Sequence, residues 1–215
     1  MPRDAPDQLT AELLLMAYAS GIFPMAEARD DPEVYWVDPR QRGVLPLDGF
    51  RMSRSLAKTI RQDRYAVTLD TAFARVLDGC AARDETWIND TIARLYRQLH
   101  DGGRAHSVEV WDGPHLAGGI YGVALGAAFF GESMFSTRRD ASKVALAYLV
   151  TLLRRCGFTL FDTQFVTDHL ASLGGVEIAR ETYRARLESA LPAPVRLTGP
   201  VPQSFEVLHL RSQTS

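Results

Sequence analysis

A chain of 215 residues, 46% of them hydrophobic, can build one sizeable core, with or without a small appendage. Its net charge of -2 excludes a polycation, so a nucleic-acid partner would have to bind a local basic patch. No apolar run reaches the roughly 18 residues of a membrane span, no signal peptide is evident, and Cys80 and Cys156 alone do not form a disulfide framework. We therefore expect a cytoplasmic protein that does not enter a membrane.

The first part of the chain carries short elements separated by polar segments. They are a helix over residues 8–20, an extended apolar turn over residues 22–25 and a strand over residues 34–37. Thr10 is placed to cap the helix, and Gly21 follows its last apolar turn, as helix-ending glycines do. We predict a small N-terminal lobe over residues 1–48 and a larger domain over residues 49–215.

Residues 51–62 carry the clearest charge pattern of the chain. Apolar side chains recur every four residues on one face of a predicted helix, and the opposite face carries Arg51, Arg54, Lys58 and Arg61. Ser53 can cap the start of this helix. A solvated helix face and a face that follows a phosphate backbone would both show this pattern, so both interpretations stay open.

The rest of the chain alternates between strand and helix patterns. The predicted strands cover residues 65–69, 108–111, 116–125, 127–130 and 158–161, and the predicted helices cover residues 71–82, 90–100, 140–155, 168–173 and 180–190. The helix over residues 140–155 is apolar on nearly all sides, with Asp140 and Ser142 as candidate caps, so it should be buried. Antiparallel strands, a buried helix and a further strand predict an α+β domain built in layers.

Two carboxylates, Glu132 and Asp162, end apolar runs that are typical of buried strands. Burying an unpaired carboxylate costs several kcal/mol, and sequences tolerate that cost mostly where the group has a function. We therefore predict that the two residues form the centre of an active site.

Apolar and aromatic residues occur in the segments that flank these carboxylates. They are Tyr96, Ile120, Phe129, Met134, Leu146, Leu149 and Phe161. They could be ordinary core residues, or some of them could line an apolar pocket with a polar end at Glu132 and Asp162. Trp87 and Met25 lie on predicted loops, where Trp87 could stack on a nucleic-acid base or cover the core.

Several common catalytic motifs are absent from the sequence. It contains no phosphate-binding loop, no strict Gly-x-Gly-x-x-Gly, no histidine or cysteine spacing typical of a metal site and no nucleophile elbow around Ser133. We expect no metal, no other cofactor and no covalent nucleophile, and we expect a monomer.

The order of several short runs resembles the family of leucyl/phenylalanyl-tRNA–protein transferases of the bacterial N-end rule. The runs are Met16-Ala17-Tyr18-(2)-Gly21-Ile22-Phe23-Pro24, Trp36-(2)-Pro39-Arg40, Ser53-Arg54-Ser55, Thr86-Trp87-Ile88, His106-Ser107-Val108-Glu109-Val110-Trp111, Gly118-Gly119-Ile120-Tyr121-Gly122-Val123, Gly131-Glu132-Ser133-Met134-Phe135-Ser136, Ala141-Ser142-Lys143, Asp162-Thr163-Gln164 and His169-Leu170-Ala171-Ser172-Leu173-Gly174. Together they cover about residues 13–190.

The resemblance implies a fold and an activity. The fold would be a small N-terminal lobe packed on an acyltransferase domain of the GNAT type, with a mixed, largely antiparallel sheet and flanking helices. The activity would be transfer of Leu or Phe, less often Met, from aminoacyl-tRNA to the α-amine of proteins that begin with Arg or Lys.

The resemblance also implies roles for individual residues. Asp162 and Gln164 would be the polar catalytic pair, and Glu132 would help to position the reacting ester or amine. The seven apolar and aromatic residues named above would form the pocket for the carried Leu or Phe side chain. Trp87, Met25 and Ser133 would contact the 3′-terminal adenosine, and the basic face of residues 51–61 would contact the tRNA backbone. The family usually has an aromatic residue in place of Met25 and a cysteine in place of Thr163.

Two questions stay open from the residues alone. Asp162 could take the proton of the attacking amine, alone or through Gln164, or it could only orient Gln164 while a tRNA hydroxyl relays the proton. Rival functions are an acetyl-CoA-dependent N-acetyltransferase, which Arg154–Thr159 disfavours because that run ends a helix, and a non-catalytic RNA-binding module.

Overall fold

A computed structural model describes residues 9–83 and 86–210 of the chain. Its strands are β1 (Phe23–Met25), β2 (Tyr35–Val37), β3 (Gln41–Val44), β4 (Ala66–Leu69), β5 (Ala105–Asp112), β6 (His115–Leu125), β7 (Ala128–Ser136), β8 (Leu160–Gln164) and β9 (Val176–Ala179). Its helices are α1 (Ala11–Ala19), α2 (Arg54–Arg61), α3 (Phe73–Ala81), α4 (Asp90–Asp101), α5 (Ala141–Cys156), α6 (Asp168–Ser172), α7 (Arg180–Ala190) and α8 (Ser204–Leu208).

A seven-stranded sheet in the order β4-β5-β6-β7-β8-β3-β9 forms the centre of the molecule, and β1 and β2 form a separate ribbon. All neighbouring strands of the large sheet are antiparallel except β7 and β8, which pair in parallel. A parallel pair needs a long crossover, and the buried helix α5 supplies it. The mixed, largely antiparallel sheet with flanking helices confirms the predicted α+β class.

Helices cover both faces of this sheet. One face packs against α5, with α2 and α8 beside it, and α1, α3, α4 and α7 lie over the other face. Nearly all of α5 from Val144 to Leu153 is buried, as its sequence predicts. None of the helices in the described residues is both long and apolar enough to cross a membrane.

Local sequence signals account for most of the helix starts. The Thr10 and Ser53 hydroxyls accept hydrogen bonds from the backbone N–H groups of Leu13 and Leu56, which confirms both predicted caps. Asp140 stands at the start of α5, but its φ of 62° is left-handed and its side chain makes no capping bond, so its predicted role as a side-chain cap was wrong.

Four elements were not predicted as such from the sequence. The predicted turn over residues 22–25 is strand β1, and β3, β9 and α8 were missed. The missed strands are only four residues long, and β3 (Gln41-Arg42-Gly43-Val44) lacks an alternating apolar pattern. Pairing with β8 and β9 holds β3 in the sheet, so tertiary contacts override its weak local preference.

The predicted boundary between a lobe of residues 1–48 and a domain of residues 49–215 stays a prediction. Strand β3 lies on the N-terminal side of that boundary, yet it belongs to the large sheet between β8 and β9. It therefore ties the beginning of the chain to the sheet that carries the site described next.

Candidate active site

A fork between two parallel strands forms the site. β7 and β8 pair only from Ala128↔Leu160 to Phe130↔Asp162. Beyond that pair, β7 continues along β6 while β8 pairs with β3, so the two strands part. The fork opens onto a cavity of about 890 Å³, within the range typical of small-molecule sites. Glu132 lies within β7 and Asp162 within β8, beside this fork. The sequence had predicted both carboxylates at strand ends.

The cavity brings together many of the residues that were predicted for the site. Its apolar wall includes Ile120, Met134, Leu146 and Phe161. Met25, Trp87 and Ser133 also line it, as do Glu132 and Gln164. Trp87 is half-buried and its ring meets Tyr96 edge to face at 6.4 Å, so it both packs on the core and faces the cavity.

Three predicted pocket residues do not line the cavity. Tyr96, Phe129 and Leu149 are at most 1% exposed and lie in the core behind its wall. Phe129 packs edge to face against Phe161, with ring centroids 5.5 Å apart, and so supports the wall from behind. Tyr96 contributes its hydroxyl to Glu132 instead of an apolar surface. The sequence pattern could not distinguish residues that line the cavity from residues that pack behind it, because both kinds are apolar or aromatic and occur in the same segments.

Asp162 is fully buried, and its charge is balanced by Arg42. The guanidinium group donates from Nε to Oδ1 at 2.9 Å and from Nη2 to Oδ2 at 2.6 Å, and both side chains are at most 1% exposed. The Tyr183 hydroxyl donates to Oδ2 at 2.7 Å. Arg42 itself lies between the rings of Phe23 and Tyr183 and donates to the Gly21 carbonyl oxygen at 2.9 Å. These contacts fix the carboxylate in place.

Gln164 links the two carboxylates. Its backbone N–H donates to Asp162 Oδ1 at 2.8 Å, and its side-chain Nε2 donates to Glu132 Oε1 at 3.2 Å. Its φ of 58° is in the left-handed region, which costs energy for a non-glycine residue and is concentrated at functional sites. The bond to Asp162 holds this backbone turn and thereby aims the Gln164 amide at the cavity.

Glu132 carries hydrogen bonds from two buried tyrosines. Tyr18 donates to Oε1 and Tyr96 to Oε2, each at 2.7 Å, and the two hydroxyl oxygens lie 2.6 Å apart. Burial raises the pKa of Glu132 to about 7, although the bonds from Tyr96 and Tyr18 lower it. The neighbouring charge of Asp162 raises this pKa further and that of Arg42 lowers it. Glu132 can therefore gain and lose a proton near neutral pH.

Arg42, Tyr18 and Tyr183 were not predicted as site residues. Tyr18 lies in one of the runs that carry the family resemblance, which was the available signal. Arg42 is 120 positions from Asp162 in the chain, and no spacing or periodicity connects such distant residues. An arginine in a polar stretch usually predicts an exposed side chain, and only the carboxylate of Asp162 makes its burial favourable.

Three residues of the predicted basic face, Arg54, Lys58 and Arg61, lie on α2, and Arg51 lies just before it. The side chains of Arg51, Arg54, Lys58 and Arg61 are all exposed, while Leu56, Ala57 and Ile60 are buried on the opposite side. None of these basic residues lines the cavity, so any contact they make with a ligand lies outside it.

The mixed sheet, its flanking helices and the forked cavity define the class as an α+β protein with a candidate active site. A crystal structure of FemX has the same fold, with a TM-score of 0.53 and 13% sequence identity over 82% of this chain and 68% of that chain.

Sequence comparisons identify the family. The model of the leucyl/phenylalanyl-tRNA protein transferase family matches residues 44–188, and that of its N-terminal domain matches residues 7–40. A leucyl/phenylalanyl-tRNA–protein transferase from Ruegeria sp. (strain TM1040) is 61% identical over 96% of this chain and 99% of its own length. One from Cereibacter sphaeroides (strain ATCC 17025 / ATH 2.4.3) is 59% identical over 98% of this chain and 99% of its own length. The chain therefore belongs to the leucyl/phenylalanyl-tRNA–protein transferase family and is an aminoacyltransferase.

Proposed function

We propose that the protein transfers Leu or Phe, less often Met, from aminoacyl-tRNA to the α-amino group of proteins that begin with Arg or Lys. The product proteins would then be degraded through the N-end rule. The observation that carries this proposal is a largely apolar cavity that is also lined by the hydrogen-bonded pair Glu132 and Gln164. Such a cavity can hold the side chain of Leu or Phe while its ester lies beside polar groups.

The chemistry of transfer fits these residues. An aminoacyl ester is already activated, so the reaction needs neither ATP nor a covalent nucleophile. The attacking α-amine has a pKa of about 7.7–8.0 and must be neutral to attack, so a group that takes its proton can contribute about 10²–10⁴-fold. The contacts of Asp162 support the alternative in which it orients Gln164, because Arg42 and Tyr183 already occupy its oxygens.

The preference for a positively charged acceptor has a candidate source in the cavity. Among the described residues that line it, Glu132 is the one carboxylate, whereas the charge of Asp162 is balanced by Arg42. We propose that an ionised Glu132 attracts the Arg or Lys N-terminus of the acceptor protein. Comparable transfer to a peptide with a neutral first residue would contradict this role.

The donor tRNA would meet two further parts of the molecule. Trp87, Met25 and Ser133 line the cavity and are proposed to contact the terminal adenosine, where Trp87 offers a ring for stacking. The exposed basic residues of α2, together with Arg51 before it, are proposed to follow the tRNA backbone, because no acidic residue interrupts the row between Arg51 and Arg61.

Transfer itself tests the function. The purified protein, incubated with Leu-tRNA carrying labelled leucine and a peptide that begins with Arg, should form labelled peptide. A matched peptide that begins with Ser should receive much less label. Acetyl-CoA in place of the charged tRNA should give no product, and acetylation of the peptide would instead support the rival acetyltransferase function.

The apolar wall should set the choice of amino acid. We expect Met134→Ala to change the ratio of Leu to Phe transfer by about 10-fold, because a pocket discriminates between apolar side chains by roughly 1–3 kcal/mol. The measurement is kcat/KM for Leu-tRNA and Phe-tRNA with one acceptor peptide. Leu149→Ala is the control, since Leu149 is buried behind the wall and should affect stability without changing the ratio. An unchanged ratio in Met134→Ala would remove Met134 from the pocket.

A further inference from the structure

Glu132 and Asp162 differ in how much of their hydrogen-bonding capacity is already used. A carboxylate can accept about four hydrogen bonds. Asp162 accepts four, two of them from Arg42, and none of its side chain is exposed. Glu132 accepts three, from Tyr18, Tyr96 and Gln164, and it lines the cavity. The unused acceptor position therefore belongs to Oε2 of Glu132, which receives one bond where Oε1 receives two.

We propose that Glu132 accepts the proton of the attacking amine, while Asp162 and Arg42 act as positioning residues. This inference rests on the proposed transfer reaction. The neutral α-amine forms a C–N bond to the ester carbonyl carbon, and the C–O bond to the terminal ribose breaks. One proton passes from the nitrogen to Glu132 and then to the departing ribose oxygen. Glu132 ends in its starting state, and no further reactant is consumed.

Several charged and titratable groups surround Glu132 or share its cavity. They are Tyr18 on α1, Tyr96 on α4, Tyr121 on β6, Asp162 on β8, Arg42 on β3, Cys80 on α3, Arg83 just after α3 and His169 on α6. Burial raises the pKa of Tyr18, Tyr96 and Tyr121 well above the usual value, so all three hydroxyls stay protonated near neutral pH. Glu132, with its pKa raised to about 7, can change its charge near neutral pH.

Removing the hydrogen bond from Tyr96 to Glu132 tests the proposal, because the direction of the resulting pKa shift is known in advance. It stabilises the ionised form of Glu132 and lowers its pKa, so Tyr96→Phe should raise that pKa. We expect the acidic limb of the pH profile of transfer to move to higher pH by about one unit. The measurement is the single-turnover rate of transfer from Phe-tRNA to one Arg peptide between pH 5 and 8.5. The substrate amine titrates identically with every variant, so only the enzyme can move the limb.

Further variants distinguish the contribution of Glu132 to the pH profile from the contributions of its neighbours. Tyr18→Phe repeats the test from α1 if Tyr96→Phe folds poorly. Tyr121→Phe is the matched control, because its hydroxyl has no hydrogen-bond partner among the described residues and its loss should leave the limb in place. Asp162→Asn should move the limb to lower pH, since the negative charge of Asp162 raises the pKa of Glu132. Glu132→Gln should lower the rate by about 10²-fold or more and leave only the titration of the substrate amine in the acidic limb.

The outcomes distinguish this inference from the proposed function. A folded wild-type protein that transfers no amino acid would overturn both. An active wild-type protein whose limb stays in place in Tyr96→Phe and Tyr18→Phe would overturn the role of Glu132 alone. Loss of the enzyme's contribution to the limb in Asp162→Asn, with retention of that contribution in Glu132→Gln, would assign the proton to Asp162. If Glu132→Gln instead weakens Phe-tRNA binding and leaves the limb unchanged, Glu132 only anchors substrate and the proposal fails.

Discussion

Replacing Arg42 with methionine should lower the free energy of unfolding by about 3–5 kcal/mol. The substitution keeps much of the volume between the rings of Phe23 and Tyr183 but leaves Asp162 as an unpaired charge that is 0% exposed. A buried carboxylate without its partner pays the full cost of desolvation. Urea unfolding at pH 7, followed by circular dichroism, measures the effect.

An exposed ion pair of similar length provides the control. Arg97 and Asp78 lie 2.7 Å apart, but their side chains are 44% and 65% exposed. Because water screens such pairs, Arg97→Met should cost less than about 1 kcal/mol. The double variant Arg42→Met/Asp162→Leu should recover part of the loss, since no charge then remains buried. If Arg42→Met and Arg97→Met lowered the free energy of unfolding by equally small amounts, the buried ion pair would not be what stabilises the site.

Replacing Glu132 with glutamine should make stability less dependent on pH. The folded-state pKa of Glu132 is about 7, above its ordinary value of 4.5, so the folded protein holds this proton more tightly than the unfolded chain. Ionisation of Glu132 therefore lowers the free energy of unfolding. This loss is absent below about pH 4.5, grows as the pH rises and is complete above about pH 7. Relative to wild type, Glu132→Gln should gain on the order of 3 kcal/mol in the free energy of unfolding between pH 4.5 and pH 8.

Denaturant unfolding of both proteins across this pH range measures the difference. Glu188→Gln, on the exposed side of α7, is the control and should follow the wild-type curve throughout. Parallel curves for wild type and Glu132→Gln would mean that Glu132 titrates at its ordinary pKa. The hydrogen bonds from the neighbouring tyrosines would then offset the effect of burial on this pKa.

Local patterns in the sequence determined most of the helices and the longer strands of this protein. Periodic apolar residues predicted the helices that became α1 to α7, with ends shifted by a few residues, because an amphipathic pattern specifies both a helix and its buried face. Thr10 and Ser53 fixed helix starts because a cap needs only a neighbouring N–H group. Glu132 and Asp162 stood out because carboxylates are rare in apolar runs, and the family followed from the order of several short motifs.

Only the tertiary structure decided which partners each candidate site residue has. The cavity lies where β7 and β8 separate. The direction of each aromatic side chain in the folded protein decides whether that residue lines the cavity or packs behind it. The pairing of Arg42 with Asp162 joins segments that are distant in the chain and leaves Glu132 as the carboxylate with an open acceptor position. Electrostatic and packing energies depend on distance in space, and separation along the chain does not report that distance.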